Sequence, residues 1–367
     1  LPFKLIFLTM ENKLAALKYN RVYFTDNVSV LDAFIEKNKY SKVVVLGDNN
    51  TIENCLPYLN LYSSYTSNAD IIEIDAGEGS KNIDICIGIW NMMMDYEMDR
   101  KSLLINVGGG MISDIGAFAA SNYMRGIDFV NIPTSLLAMV DASHGGKNGI
   151  DVNDYKNMIG GFNNPTAVFI FPTLLDTLPA DEKKYGFAEI IKHGLIADAG
   201  HYQAAMSYLQ DEENYDLNEL IIFSVLIKDH IVSQDPFDKN ERKLLNYGHS
   251  IGHALESSFL ALDSPISHGL AVLAGMIIEN KIAVALGLLD PNVEKQIAQD
   301  IQSHYTLPKI KANTIAPIMH FLMLDKKNED AAIQLSLITK IGEGKVAQTC
   351  STAMAAAAIQ AYSEEIK

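Results

Sequence analysis

Apolar residues gather in three short stretches of the first half: VVVLGD (43–48), SLLINVGGG (102–110) and DFVNIPT (128–134). Each is too short for a helix and ends in turn residues, the mark of a strand buried on both faces. Between them VLDAFIEKN (30–38) and GMISDIGAFAASNYM (110–124) repeat their apolar positions with a helical period. This alternation predicts an α/β layer built on a mainly parallel sheet. Beyond about residue 180 the pattern changes. AEIIKHGLIA (188–197), LNELIIFSVLIKDHIVS (217–233), LLNYGHSIGHALESSF (244–259) and LAVLAGMIIENKIAVALG (270–287) all carry helical period, with few strand signals. The chain therefore divides into an α/β domain over 1–180 and a mostly α-helical domain over 181–367, joined near FPTLLDTLPADE. The alanine-rich TAMAAAAIQAY (352–362) reads as a terminal helix.

Composition narrows the function. With 367 residues, 48% hydrophobic and 20% charged, the chain can bury a sizeable core. No stretch reaches the roughly 18 uninterrupted apolar residues of a membrane span. The opening LPFKLIFLT is short and lacks a cleavage site, so it reads as an extension, with Met10 the more natural start. A net charge of −16 argues against nucleic acid or an anionic membrane as partner. An anionic substrate would need cations gathered locally. The three cysteines, Cys55, Cys86 and Cys350, are scattered; they form no disulfide framework and suit a reducing cytoplasm.

Four segments carry candidate chemistry. NVGGGMISD places Gly108, Gly109 and Gly110 between a strand and a helix, where backbone N–H groups can approach a phosphate. Three glycines there also suit a plain tight turn. Asp114 follows within reach of a ribose or substrate hydroxyl. DASHGGKNGI and YKNMIGG put Lys147 and Lys156 in glycine-containing loops, which suits close approach of a ligand. In LLNYGHSIGHALE, Asn246, His249, His253 and Glu256 are spaced i, i+3, i+7, i+10, one face of a helix. Burying four such groups without partners would cost on the order of 1–3 kcal/mol each. No glutamate lies between the histidines, so the zinc-protease pattern fails. A metal needs a further ligand; SHGLAV offers His268, and GFAEIIKHG offers Glu189 with Lys192 one turn on. A buried carboxylate wants a cation, and a metal is one way to supply it. His193 belongs to a different face from Glu189.

Taken in order, GDNN, DAGEGSK, VGGGMISDIGAFAASNYMRG, PTSLLAMVDASHGGKNGI, YKNMIGGF, LDTLP, GFAEIIKHG, ERKLLNYGHSIGHALE, SHGLAV and LDKKN resemble the 3-dehydroquinate synthase family of sugar phosphate cyclases over roughly residues 20–345. The resemblance implies an NAD-binding domain, a helical metal domain and a site in the cleft between them. It puts the metal ligands on Glu189, His249 and His268, zinc first and cobalt as an alternative. His253 matches a proton-handling histidine. Asn246, Lys147, Lys192, Lys228, Arg242 and Asp114 match substrate-binding or catalytic positions, as does one of Lys326 and Lys327. The expected NAD contacts are Asp48, Asn50, Glu78, Lys81, Gly108, Gly109, Gly110, Asp114, Thr134, Ser135, Asp141, Lys147, Lys156, Asn157 and Thr177. Arg125 matches an arginine that reaches the partner subunit's substrate phosphate, which implies a homodimer.

The implied reaction converts 3-deoxy-D-arabino-heptulosonate 7-phosphate to 3-dehydroquinate. It runs through transient oxidation by NAD, phosphate elimination, reduction, ring opening and aldol closure, so NAD is not consumed. Ser135, His144, Asn148, Asp238 and Leu270 depart from the common family pattern, and His144 is expected at the surface. Three rivals stand beside this reading. A sister cyclase of the 2-epi-5-epi-valiolone type would be expected to change the Arg242 and Asn246 positions. A glycerol-dehydrogenase-like enzyme would lack the GGK and GHSIGHALE series. A non-catalytic nucleotide-binding homologue would be expected to lose a ligand or a lysine.

Overall fold

The computed structural model describes residues 13–16, 21–152, 155–324 and 332–366. Met10, Lys326 and Lys327 lie outside them. Contacts within the chain divide it into two units, 1–183 and 184–367, three residues past the boundary expected at 180.

Unit 1 opens with β1 (Lys13–Ala16), β2 (Arg21–Phe24), α1 (Ser29–Asn38), β3 (Val43–Asp48) and three short helices, α2 (Asn49–Asn54), α3 (Leu56–Tyr62) and α4 (Ser64–Ser67). It continues through β4 (Asp70–Ile74), α5 (Ile83–Asp95), β5 (Leu103–Gly108), α6 (Gly110–Asn122), β6 (Asp128–Pro133), β7 (Lys147–Val152), β8 (Tyr155–Phe162) and β9 (Ala167–Ile170). Seven strands form one sheet in the order β1-β2-β9-β6-β5-β3-β4, parallel apart from the β1–β2 pair. The three apolar stretches become β3, β5 and β6. Val44, Val45, Leu46, Leu103, Leu104, Ile105, Val130 and Ile132 are fully buried, as central parallel strands require. From β3 the chain moves outward to β4; from β5 it moves the other way to β6. The winding reverses between β3 and β5, the point where ligands bind in open α/β sheets, beyond the carboxyl ends of the strands. Asp48 ends β3 and Gly108 ends β5 at that point.

Lys147 and Lys156, expected in loops, sit instead on a separate two-stranded antiparallel hairpin, β7–β8. The hairpin closes tightly because glycine faces glycine, Gly149 opposite Gly160, and a methyl at Gly160 would overlap the Asn148 carbonyl. With glycines in place of alternating side chains, the segment carried no strand period.

Unit 2 comprises most of α7 (Ala180–Ala197), then α8 (Ala199–Gln210), α9 (Leu217–Gln234), α10 (His249–Leu260), α11 (His268–Ala285), α12 (Pro291–His304), α13 (Ile315–Leu324), β10 (Ala332–Lys340), β11 (Glu343–Ser351) and α14 (Thr352–Glu365). It is mostly helical, as the periodicity predicts, but the β10–β11 hairpin was not foreseen. α11 is apolar and long enough to cross a membrane, with a mean hydropathy of 1.3, yet 72% of that window is buried among its neighbours, so it serves as the central helix of the unit.

The stretch read as one helix from 244 is broken. A 3₁₀ turn covers Glu241–Asn246, Gly248 turns left-handed (φ 79°), and α10 begins only at His249. Asn246 therefore leaves the helical stripe expected for it, while His249, His253 and Glu256 stay on α10.

Candidate active site

In unit 1 the polar groups meet at the carboxyl ends of the strands. Asp48 caps α2: its Oδ1 accepts from the Thr51 amide (2.9 Å), and the Thr51 hydroxyl accepts from the Asp48 amide (3.0 Å). The Thr51 hydroxyl also donates to the Val107 carbonyl (2.9 Å), locking the ends of β3 and β5 together. α6 starts on Gly109 and Gly110 with no side-chain cap, so its first N–H groups are left for a ligand or water. A methyl at Gly108 would collide with Ile112, which is why the strand can turn so sharply into α6. Thr134 donates its amide to the Gly108 carbonyl (3.0 Å), and Ser135 lies against Gly109.

Four expected residues from three separate segments converge beside this turn. The Lys81 ammonium donates to Asp114 (2.5 Å) and Asn157 (2.6 Å), with Glu78 at 3.7 Å. Lys81 is only 3% exposed. Burial opposes its charge, but Asp114 and Glu78 outweigh that and raise its pKa. Asp151, which the sequence reading missed, accepts from the Asn157 amide (2.6 Å) and donates its own amide to the Lys81 carbonyl (2.8 Å). Burial raises the Asp151 pKa. Asn50 is exposed on α2, Asp141 lies in a π-turn over 138–142, Lys147 and Lys156 are exposed on the hairpin, and Thr177 donates to the Leu174 carbonyl (3.0 Å).

Arg125 does not join this group. It lines a cavity with Lys39, Tyr40, Arg100, Lys101 and Asp128, at the amino ends of β3, β5 and β6, the opposite end of the sheet. His144 is buried (3% exposed), which corrects the expectation of a surface residue.

In unit 2, α7 carries Glu189 and Lys192 one turn apart, each 1% exposed and in close ionic contact. The Glu189 Oε1 also lies 3.4 Å from His249 Nε2 and 3.7 Å from His268 Nε2. One ligand atom from each of Glu189, His249 and His268 falls within 4.8 Å of the others, the spacing of a shared cation. The tautomers follow from the opposite ring nitrogens. The Tyr247 carbonyl can only accept, so His249 Nδ1–H donates to it (3.1 Å); the Glu256 carboxylate takes His268 Nδ1–H (3.1 Å). Both Nε2 atoms thus face Glu189, the arrangement that orients metal-binding imidazoles.

Burial pushes the Glu189 pKa up, but Lys192 and His249 outweigh it and hold the carboxyl well below the usual range. Burial, with the Lys192 charge, lowers His249. His268 is penalised by burial too, yet Glu189 and Glu256 push it up to about 10. The donor set, two imidazole nitrogens and one carboxylate oxygen, suits a zinc-like dication.

His253 is exposed, its ring centroid 5.4 Å from that of His249 and 5.8 Å from that of His268. Lys228 is buried on α9. Arg242, 2% exposed, donates to the Pro236 carbonyl (2.7 Å). Its loop wraps around the Asp235 carboxylate, which accepts from the amides of Lys239 (3.1 Å), Asn240 (2.5 Å) and Arg242 (3.2 Å). Asn246 Nδ2 is buried and has no hydrogen-bond partner among the described residues.

Models of the N-terminal and C-terminal domains of 3-dehydroquinate synthase match residues 71–185 and 186–328. A 3-dehydroquinate synthase of Parabacteroides distasonis is 39% identical over 326 residues, 88% of this chain and 92% of that protein. The chain belongs to the 3-dehydroquinate synthase family. It is an enzyme of that type. Among solved structures, 2-deoxy-scyllo-inosose synthase in complex with carbaglucose-6-phosphate, NAD+ and Co2+ superposes with a TM-score of 0.82 at 22% identity, covering 93% of this chain and 96% of that one. The 2-epi-5-epi-valiolone synthase ValA of Streptomyces hygroscopicus, with NAD+ and Zn2+ bound, gives 0.82 at 23% identity over 94% and 97%. Those two likenesses establish the shared fold.

Proposed function

We propose that this enzyme converts 3-deoxy-D-arabino-heptulosonate 7-phosphate to 3-dehydroquinate and phosphate in the shikimate route, with NAD+ and a divalent metal, zinc first and cobalt second, as a cytoplasmic homodimer. The observation that carries the reading is the convergence of Glu189, His249 and His268 with both Nδ1 atoms already engaged. Those three would hold the metal; the uncapped start of α6 at Gly109 and Gly110, with Lys81 and Asp114, would hold the dinucleotide. When bound, NAD+ supplies a reversible hydride acceptor, and the metal lowers the pKa of a substrate hydroxyl and polarises a carbonyl.

The remaining work falls to the chain. Arg242, anchored through Pro236, is suited by its planar guanidinium to the substrate carboxylate. Asn246 offers its buried amide N–H to a substrate oxygen. Lys192 and Lys228 supply the local positive charge that a −16 protein otherwise lacks. His253, exposed beside the two ligand histidines, can exchange a proton between substrate and solvent at its ring nitrogen. Arg125, remote from its own unit's glycine turn, suits service to a partner subunit.

The sister-cyclase reading is weaker because Arg242 and Asn246, the residues suited to a carboxylate-bearing substrate, are both present. The deciding assay is phosphate release from 3-deoxy-D-arabino-heptulosonate 7-phosphate with NAD+ and zinc. Release that a chelator abolishes, without net NADH, is expected. Turnover of sedoheptulose 7-phosphate alone would move the enzyme to the sister class, and no turnover of either despite bound NAD+ would favour a non-catalytic homologue.

A further inference from the structure

α10 begins on a residue that cannot cap it. Gly248 has no side chain, and its left-handed φ of 79° leaves no room for one: a Cβ there would lie 2.5 Å from Met276 Cγ. Other helices of the unit are capped by the residue before them: Asp198 for α8, Asp216 for α9, Ser267 for α11, Asp290 for α12 and Ser351 for α14. The first N–H groups of α10 would be orphans. Two of them are met from another helix instead. Glu279, on α11, accepts from the Gly248 amide through Oε2 (2.7 Å) and from the Ile251 amide through Oε1 (3.3 Å). Its exposure is 0%. At that depth the two backbone N–H groups at the positive end of the helix are well-suited partners for its carboxyl oxygens.

The two helices run antiparallel and touch backbone to backbone. A methyl at Gly275 would overlap the Gly248 carbonyl, and one at Gly252 would press on the Ala271 carbonyl at 3.1 Å. α11 therefore does two things. It presents His268 at its own first residue, and eleven residues later it grips the turn from which His249 projects. We propose that Glu279 is a positioning residue of the metal centre, fixing His249 relative to His268 by capping α10 from α11. The inference rests on the reading of Glu189, His249 and His268 as metal ligands.

The test is zinc affinity by chelator competition on stripped protein, for wild type, Glu279→Gln, His249→Ala and Asp290→Ala. Asp290 caps α12 through the Asn292 amide (2.7 Å) and serves as a helix-cap loss away from the centre. Glu279→Gln is expected to bind zinc about 10–100-fold more weakly, as loss of an outer partner of a metal ligand does, with NAD+ affinity unchanged. Asp290→Ala should leave zinc affinity of the folded protein as in wild type. Zinc binding by Glu279→Gln equal to wild type, or an equal loss in Asp290→Ala, overturns the proposal. Wild type binding zinc no better than His249→Ala would instead overturn the metal reading beneath it. Should Glu279→Gln not fold, amide exchange in wild type decides. Faster exchange at Gly248 and Ile251 on stripping zinc supports the proposal, and unchanged exchange refutes it.

Discussion

The two units gather charge by opposite means. In unit 1 the buried cation Lys81 is surrounded by acceptors from three segments, Asp114, Glu78 and Asn157, and its charge is balanced within the chain. In unit 2 a single buried carboxylate, Glu189, is shared among Lys192, His249 and His268, and none of the described residues gives it a well-aligned hydrogen bond. The first arrangement suits a cofactor that binds through backbone N–H groups and can leave. The second is built around a centre that a dication completes, because imidazoles with Nδ1 engaged and a desolvated carboxylate gain most from one.

The sharpest way to break this contrast is His268→Ala. It should abolish phosphate release and weaken zinc by more than about 100-fold, since it removes a ligand and not an outer partner. Circular dichroism and NAD+ affinity should stay close to wild type. An active, zinc-replete variant would refute the ligand assignment. Next in size is Lys81→Met, the mirror experiment in unit 1. Breaking a buried ion pair costs about 3–5 kcal/mol, so urea unfolding should shift by that order and NAD+ should bind more weakly, with zinc affinity of the folded protein intact. A parallel loss of zinc would show that the two clusters are not independent.

The third effect is set by pH and falls on unit 2, which holds eight of the nine histidines. His201 is 5% exposed, its Nε2 is 2.9 Å from the Ser224 hydroxyl, and burial lowers its pKa to about 4. The unfolded chain binds this proton at about 6.5, so between pH 6.5 and 4 the unfolded state holds more protons. The stabilisation is thus complete above about pH 6.5 and is lost as pH falls toward 4, by about 3 kcal/mol in all. In His201→Gln the difference in unfolding free energy between pH 7.5 and 4.5 should shrink by that order. An unchanged difference would refute the assignment. Smallest is Arg242→Lys, which keeps the charge but loses the fork and the Pro236 anchor. Substrate KM should rise about 10–150-fold, the worth of one charged hydrogen bond, with NAD+ affinity unmoved. Equal weakening of both would remove the carboxylate role.

Much of this was legible because apolar runs and helical stripes are local signals. β3, β5 and β6 stand where unbroken apolar residues put them, and α7, α10 and α11 bring Glu189, His249 and His268 together. What escaped depends on backbone shape or on distance in sequence. The β7–β8 hairpin hides because glycines carry no alternation. The helical period runs through Asn246, yet Gly248 delays the start of α10 to His249 and leaves Asn246 on the preceding 3₁₀ turn, which the Asn-Tyr-Gly sequence marks. Glu279 sits inside IIENK, where a charge in an apolar run was the one available hint, and its partner lies 31 residues earlier. Asp235 and Asp151 hold loops by accepting amide N–H groups, a role with no spacing rule.

The glycine contacts between α10 and α11 carry a consequence for inheritance. Gly248, Gly252 and Gly275 touch neither substrate nor cofactor in the proposed chemistry, yet a single methyl at Gly275 has nowhere to go. In a saturation library these positions should score as intolerant as the histidines themselves, and for a different reason. Their variants would vanish from the cell through misfolding and clearance, whereas a His268 variant would persist as an abundant, inert protein. Protein abundance measured beside growth would separate the two kinds of loss.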